Sequence, residues 1–313
     1  MTTYTQIYGS PATAIAVLDK DGAVRSLASV DSPLGWIPSR NKLEASNGRT
    51  GIMLGNAAGI SVALVGAPQN SQESEIRYIT SLCNTSAAWK TVAPTIPANL
   101  PLSGLTGDSG SGFTLCSADG KKLYQLSKAA KPDWQPMSTP LPFDVAMIAG
   151  DSSNGLLIVG TGDQPQLARS GTDCCSWTTL GASPIKVELL TGDMAKGFLV
   201  WGESLLYSLV LGKDGAPSWT RLPPLGFELA GMSGNPKDGI VALLGGGSVV
   251  AYCKDLSKPV WVLLAVPEGG TPDRTIGTAP DTGKAKSGAA PAATPSSASG
   301  AAAPKEPATA DAG

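Results

Sequence analysis

The sequence predicts an all-β protein in which one four-stranded unit is copied six times and closed into a ring. Three observations carry this reading. Six tryptophans, Trp36, Trp89, Trp134, Trp177, Trp219 and Trp261, recur at spacings of 53, 45, 43, 42 and 42 residues. Upstream of each stands a glycine followed by a small polar residue: Gly9-Ser10, Gly55-Asn56, Gly107-Asp108, Gly150-Asp151, Gly192-Asp193 and Gly234-Asn235. The glycine-to-tryptophan offset is 27 in five copies and 34 in the second. Between these landmarks, short apolar runs alternate with turn residues, about four runs per repeat. A unit of this size has two apolar faces that it cannot bury alone, and a ring covers both while removing open edges. The fold class is therefore a six-bladed β-propeller of four-stranded antiparallel blades, with a C-terminal tail.

The propeller is assigned to residues 1–280 and the tail to 281–313. The blades are placed at about 3–41, 48–98, 101–141, 144–184, 186–226 and 228–270. In the first, Tyr4 to Tyr8 is strand A, Ala14 to Leu18 is B, Ala23 to Ala28 is C, and Trp36 opens D. The second has a longer B–C turn, from Ala67 to Glu75, which absorbs its extra residues. In the third, Leu105-Thr106 ends A and Phe113 to Cys116 is B. Ala118-Asp119-Gly120 is then a hairpin turn, because Asp-Gly tolerates positive φ, and Leu123 to Leu126 is C. The fourth repeats this with Gly155 to Val159 and the turn Gly162-Asp163, the fifth with Gly197 to Trp201 and Leu205 to Tyr207. After the sixth, Thr275 to Thr278 resembles the strand-A end of another blade, either a remnant or a strand closing the ring against the first blade. The remaining residues are Ala, Pro, Ser, Gly, Thr and Lys with nothing large to bury, which predicts a disordered tail.

Composition removes whole classes of function. The net charge of -2 and seven scattered arginines give no basic footprint for nucleic acid. There is no run of 18 apolar residues, so no membrane insertion is expected. The N-terminus lacks the charged-then-apolar layout of a secretory signal, and Cys83, Cys116, Cys174, Cys175 and Cys253 form no framework. The expectation is reduced thiols in a protein that is cytoplasmic or released without a signal peptide. On that expectation the sequon Asn84-Thr85-Ser86 is unused. The chain has no histidine, which removes Ser-His-Asp and Cys-His catalysis and His-ligated metals, and no cofactor or metal is expected. Gly107-Asp108-Ser109-Gly110 reads like a trypsin-type nucleophile segment, but it has no histidine base, and its Gly-Asp pair recurs at Gly150-Asp151 and Gly192-Asp193 as turn chemistry.

The turn before each tryptophan carries a further pattern. Ser29-Val30-Asp31 precedes Trp36, Ser127 precedes Trp134, Ser170 precedes Trp177, Asp214-Gly215 precedes Trp219, and Asn84 precedes Trp89. This resembles a degenerate Asp-box of sialidase-like propellers, and the resemblance implies a folding element on the C–D turn. The segment Glu75-Ile76-Arg77-Tyr78-Ile79 followed by Trp89, together with the chain length, is distantly similar to the fungal fucose-lectin group of propellers. That resemblance implies a sugar-binding propeller.

The B–C and D–A loops share one face of a propeller, and there the candidate binding residues are Trp201, Glu203, Arg77, Glu75, Asp119 and Asp163. Trp201 is the one tryptophan outside the repeat, and an aromatic face beside the Glu203 carboxylate suits a sugar or a cation. The competing reading is that Trp201 ends a buried strand and that the acidic residues are hairpin formers. The six periodic tryptophans are read as inter-blade packing. No catalytic residue is assigned. The leading expectation is a non-enzymatic, lectin-like carbohydrate-binding module. The alternatives are a protein–protein interaction scaffold and a degenerate sialidase-like glycosidase. The expected partner is a glycan or protein ligand, and the architecture leaves room for an oligomer.

Overall fold

A computed structural model of the chain describes residues 2–31, 35–38, 50–56, 59–65, 75–79, 90–92, 94, 96, 102–108, 110–126, 132–171, 176–212, 214–264, 266 and 276–278. Two compact units are present, Met1–Ala279 and Pro280–Gly313. The tail expectation falls on the second unit and lies outside the described residues, as do Cys83, Cys174 and Cys175. Cys116 and Cys253 are free and buried.

The first unit is a β-propeller. Its sheets are β1 (Tyr4–Gly9), β2 (Ile15–Asp19), β3 (Val24–Leu27) and β4 (Trp36–Pro38); β5 (Thr50–Asn56), β6 (Gly59–Val65), β7 (Glu75–Ile79) and β8 (Lys90–Thr91); β9 (Leu102–Asp108), β10 (Gly112–Ser117), β11 (Leu123–Leu126) and β12 (Trp134–Pro136). They continue with β13 (Val145–Asp151), β14 (Gly155–Gly160), β15 (Gln166–Ser170) and β16 (Trp177–Ala182), then β17 (Leu189–Asp193), β18 (Gly197–Gly202), β19 (Leu205–Leu211) and β20 (Pro217–Arg221). The last holds β21 (Leu229–Asn235), β22 (Gly239–Leu244), β23 (Val249–Cys253), β24 (Val262–Leu264) and β25 (Ile276–Thr278). Within each sheet consecutive strands pair antiparallel in chain order. The first strands pack against one another around the axis, from β1 through β5, β9, β13, β17 and β21 back to β1.

The expectation of six uniform four-stranded blades is corrected. Five sheets have four strands, and the last has five. Among the described residues that follow Thr275, Ile276–Thr278 do not pair with the first blade. Instead β25 pairs with β24, with Leu263 opposite Gly277. The added strand takes up backbone groups of β24 that would otherwise form an open edge.

The repeated glycine has a steric cause. At Gly9, Gly107, Gly150, Gly192 and Gly234, φ lies between 95° and 127°, and a Cβ would sit 2.0–2.5 Å from the carbonyl oxygen of the residue five positions on. That oxygen belongs to the start of the second strand, so the A–B hairpin closes only around a residue without a side chain. Every residue of the second strands β2, β14, β18 and β22 is buried. A blade sandwiched between neighbours has no solvent face, which is why these strands read as continuous apolar runs.

The periodic tryptophans fill the spaces between blades. Trp36 clusters with Val241, Leu243 and Val250 of the last sheet, Trp134 with Ile76 of the second, and Trp261 with Leu199 and Leu206 of the fifth. Trp177 and Trp219 are partly buried and pack against the corresponding clusters of their neighbours. Phe227 meets Trp261 edge-on at 5.0 Å. The indole N–H groups of Trp134, Trp177 and Trp261 are buried without an acceptor, so these rings act through packed area. The side chain of Trp89 lies outside the described residues.

Gly192→Ala is expected to destabilise the fold by about 1–3 kcal/mol. Gly162→Ala is the control, since Gly162 has φ 105° but open space around it. Urea unfolding of the two variants checks this: Gly192→Ala should show the larger loss, and equal losses would remove the steric account.

Candidate functional site

The first strands enclose a central channel with a cavity of about 650 Å³. One end is formed by the A–B turns. After Gly107, Gly150, Gly192 and Gly234 the side chain of the next residue accepts from the turn backbone. Asp108 Oδ1 accepts the N–H groups of Gly110 (2.6 Å) and Ser111 (2.9 Å), and Asp108 Oδ2 accepts the Ser111 hydroxyl (2.8 Å). Asp151 Oδ1 accepts the N–H groups of Ser153 and Asn154, and Asp193 Oδ1 those of Ala195 and Lys196. Asn235 Oδ1 accepts the N–H groups of Lys237 (3.0 Å) and Asp238 (2.9 Å) in the same arrangement without a charge. In the first blade the Ser10 N–H donates to the Thr13 hydroxyl.

In the last sheet the acceptor oxygen therefore comes from a neutral side chain, Asn235. The hydrogen bonds that Asp108, Asp151 and Asp193 make to their turns are of a kind that a neutral amide also makes at Asn235. Among the described residues, the cavity wall holds four carboxylates, Asp108, Asp151, Asp193 and Asp238, against a single ammonium, Lys196. Lys196 is already committed, with its Nζ 2.5 Å from Asp238 Oδ2. The hydrogen bond to Asp238 raises the Lys196 pKa. Burial pushes the Asp238 carboxyl upward, but hydrogen bonds from Asn235 and Lys196 outweigh it and hold the group below its ordinary range.

The channel end is stitched between blades. The Thr106 hydroxyl donates to the Gly150 carbonyl (2.5 Å) and the Thr191 hydroxyl to the Gly234 carbonyl (3.3 Å). The Gly9 N–H donates to Ser233 Oγ (3.0 Å), which joins the first blade to the last. Tyr8 stands in the equivalent position of β1 and lines the channel instead. Its phenol is pushed up by burial first, then by the charges of Asp108 and Asp193, and stays neutral at physiological pH.

The sequence-predicted residues lie elsewhere and are not brought together. Trp201 is 1% exposed, inside a cluster with Leu199, Leu206 and Leu229, so its ring has no open face for a ligand. Glu203 is exposed in the two-residue turn after β18, where it and Ser204 have φ 52° and 60°. Ser204 Oγ bonds the Glu228 carboxylate. Asp119 is exposed and accepts from Ser117 Oγ (2.6 Å) and the Lys121 N–H (3.1 Å), as a hairpin residue does. The Ser117 hydrogen bond leads in holding its carboxyl low. Asp163 is exposed in the turn before β15, Arg77 lies partly buried on β7, and the Glu75 side chain is outside the described residues. None of these residues lines the central cavity, and neither does any arginine. An arginine cluster of the kind a sialidase-like site requires is therefore not found in that wall among the described residues.

Two outcomes follow. Trp201→Ala should cost about 3–5 kcal/mol in denaturant unfolding, as a buried aromatic truncation does. Ligand affinity retained alongside that loss would fit a core role, and affinity lost at unchanged stability would restore the platform. For the Lys196–Asp238 pair, the depressed Asp238 contributes stability above the ordinary carboxylate pKa of about 3.9. That contribution is lost as pH falls through the folded value. The gap in melting temperature between wild type and Asp238→Asn should be widest near neutral pH and narrow in acid, and a pH-independent gap in circular dichroism melts would refute the linkage.

No family model matches the chain, and no curated protein matches it. Among solved structures it is similar to a streptogramin B lyase, with a TM-score of 0.53 and 11% identity over 85% of this chain and 84% of that one. It is also similar to PorZ, a surface component of the type-IX secretion system of Porphyromonas gingivalis, with a TM-score of 0.51 and 12% identity over 85% of this chain and 32% of that one. YCF48 from Cyanidioschyzon merolae matches with a TM-score of 0.47 and 11% identity, over 84% of each chain. At such identities the first two likenesses show the propeller fold and nothing of activity. They also correct the fucose-lectin resemblance, since these neighbours are not fungal fucose lectins. The Glu75–Ile79 pattern has a plainer cause: β7 is a third strand with Ile76 and Ile79 buried, and any blade needs such spacing.

Proposed function

We propose that the chain is a protein-binding propeller whose partner docks on the A–B turn face, over the acidic mouth of the central channel. One observation carries the reading: three carboxylates surround the mouth where Asn235 performs the same turn role without charge. Charge that this turn role does not need, held rigid by backbone hydrogen bonds, suits recognition of a complementary basic surface. The missing histidine favours binding over acid–base catalysis. The glycan alternative loses support with Trp201 buried.

The test uses the triple variant Asp108→Asn/Asp151→Asn/Asp193→Asn, in which each amide keeps the turn acceptor. Wild-type protein on a peptide array should select basic peptides, and the triple variant should lose them by about tenfold or more at an unchanged melting temperature. Peptide binding indifferent to the three substitutions, or a blank peptide array beside a saturable glycan-array signal, would overturn the proposal.

A further inference from the structure

We propose that the guanidinium of Arg169 is a receptor for one carboxylate, at the outer margin of the propeller between the fourth and fifth sheets. The site is separate from the channel, whose wall does not include Arg169, and it does not depend on the protein-binding reading.

Arg169 is the one charged residue in its register. It stands on β15 opposite Leu157, one residue past the β14 partner of the repeated glycine Gly150. The residues at the same register of the other sheets are Ser26, Tyr78, Gln125, Ser208 and Tyr252. Five sheets therefore keep that place with a neutral side chain. The arginine is laid against the neighbouring sheet. Gly215, in the turn before β20, has φ 80°, and a Cβ there would fall 2.2 Å from Arg169 Nη2 and 2.7 Å from Cζ. Gly215 thus leaves room for the guanidinium of the preceding blade as well as taking a left-handed turn. That close fit holds the group in place, yet its donors are unused. Arg169 Nε is buried without an acceptor, and no hydrogen bond or ion pair joins the guanidinium to any described residue. Polar groups sealed from water normally find partners. Of the three guanidinium nitrogens only Nε is sealed, so the Nη end is the open one.

The surroundings select the ligand. Leu167, two residues before Arg169 on the same side of β15, packs with Leu209, Leu211 and Trp219 of the fifth sheet. An apolar flank of this kind lowers the local dielectric and strengthens a charge-assisted hydrogen bond. The two Nη groups form a planar pair of donors, which a carboxylate matches with two oxygens. Asp214, next to Gly215, is exposed and spends Oδ1 on the Ala216 N–H (3.1 Å). Its negative charge disfavours a dianion such as phosphate beside the same arginine.

The full chain is titrated with propionate, with a doubly capped glutamate peptide and with the glutamine version of that peptide. The amide NMR signal of Gly215 is the readout. Propionate should shift it saturably. Arg169→Met, which keeps an apolar stem, should weaken propionate by about tenfold or more. Arg169→Lys should also weaken it, because the charge remains but the planar fork is lost. The lysine variant stays informative if Arg169→Met lowers stability. Lys121→Gln, in a turn at the opposite end of the blades, should leave propionate binding unchanged. Binding of the glutamate peptide and not its glutamine version, beside propionate, supports an acidic side chain of a partner as the source. Propionate binding with the two peptides alike supports a free carboxylic acid. No saturable shift with propionate, or one indifferent to both Arg169 substitutions, overturns the proposal.

Discussion

The molecule depends on the approach of one backbone carbonyl to one glycine Cα, made again in blade after blade. With a Cβ at that point, the first and second strands of a blade could not close their hairpin, since the oxygen lies within 2.5 Å of where it would sit. The same contact decides where each first strand ends. The residue after the glycine is then delivered to the rim of the channel, where Asp108, Asp151, Asp193 and Asn235 each supply an oxygen to the turn backbone. Steric exclusion at the glycine thus writes the position of the rim, and the choice of Asp or Asn at the next residue writes its charge.

Blade stacking converts that local geometry into stability. Second strands without a polar face need a neighbour on each side, and the tryptophans at the outer strands bridge from one blade to the next. Burying indole N–H groups without acceptors carries a desolvation cost, which the large ring area offsets. This explains why tryptophan spacing persists while surrounding residues vary: the requirement is for volume at a given place.

The architecture was legible because two landmarks kept one offset, and each has a hard physical cause, a forbidden Cβ and an inter-blade gap. The fifth strand was not legible, since a three-residue segment pairing on an outer edge carries no periodicity of its own. Trp201 misled because a break in the rhythm resembles an exposed specialisation, whereas it completes a wholly buried second strand, where any large apolar residue fits. The rim carboxylates were visible as turn formers, and that reading was right but incomplete. Only the comparison of copies in space reveals that Asn235 does the same work uncharged, and a signal for this was available in the Asp-to-Asn difference between repeats. Tyr8 was hidden because strand alternation does not tell which side chain of an innermost strand points along the axis.

Among the described residues each sheet is built from consecutive strands, and none borrows a strand from the opposite terminus to lock the ring. The seam between first and last blades is held by side-chain packing around Trp36, by the Gly9–Ser233 hydrogen bond and by the 2.7 Å pair of Lys254 with Asp31. Nearly all strand pairing is local and inexpensive in loop entropy, whereas the seam joins residues more than 220 positions apart. During synthesis the early blades can assemble in order as they emerge, but the annulus stays open like a split washer until the last sheet exists. Completion of the circle is therefore a late, long-range event, and any ligand gripping the axis across several blades would act as a clasp on it.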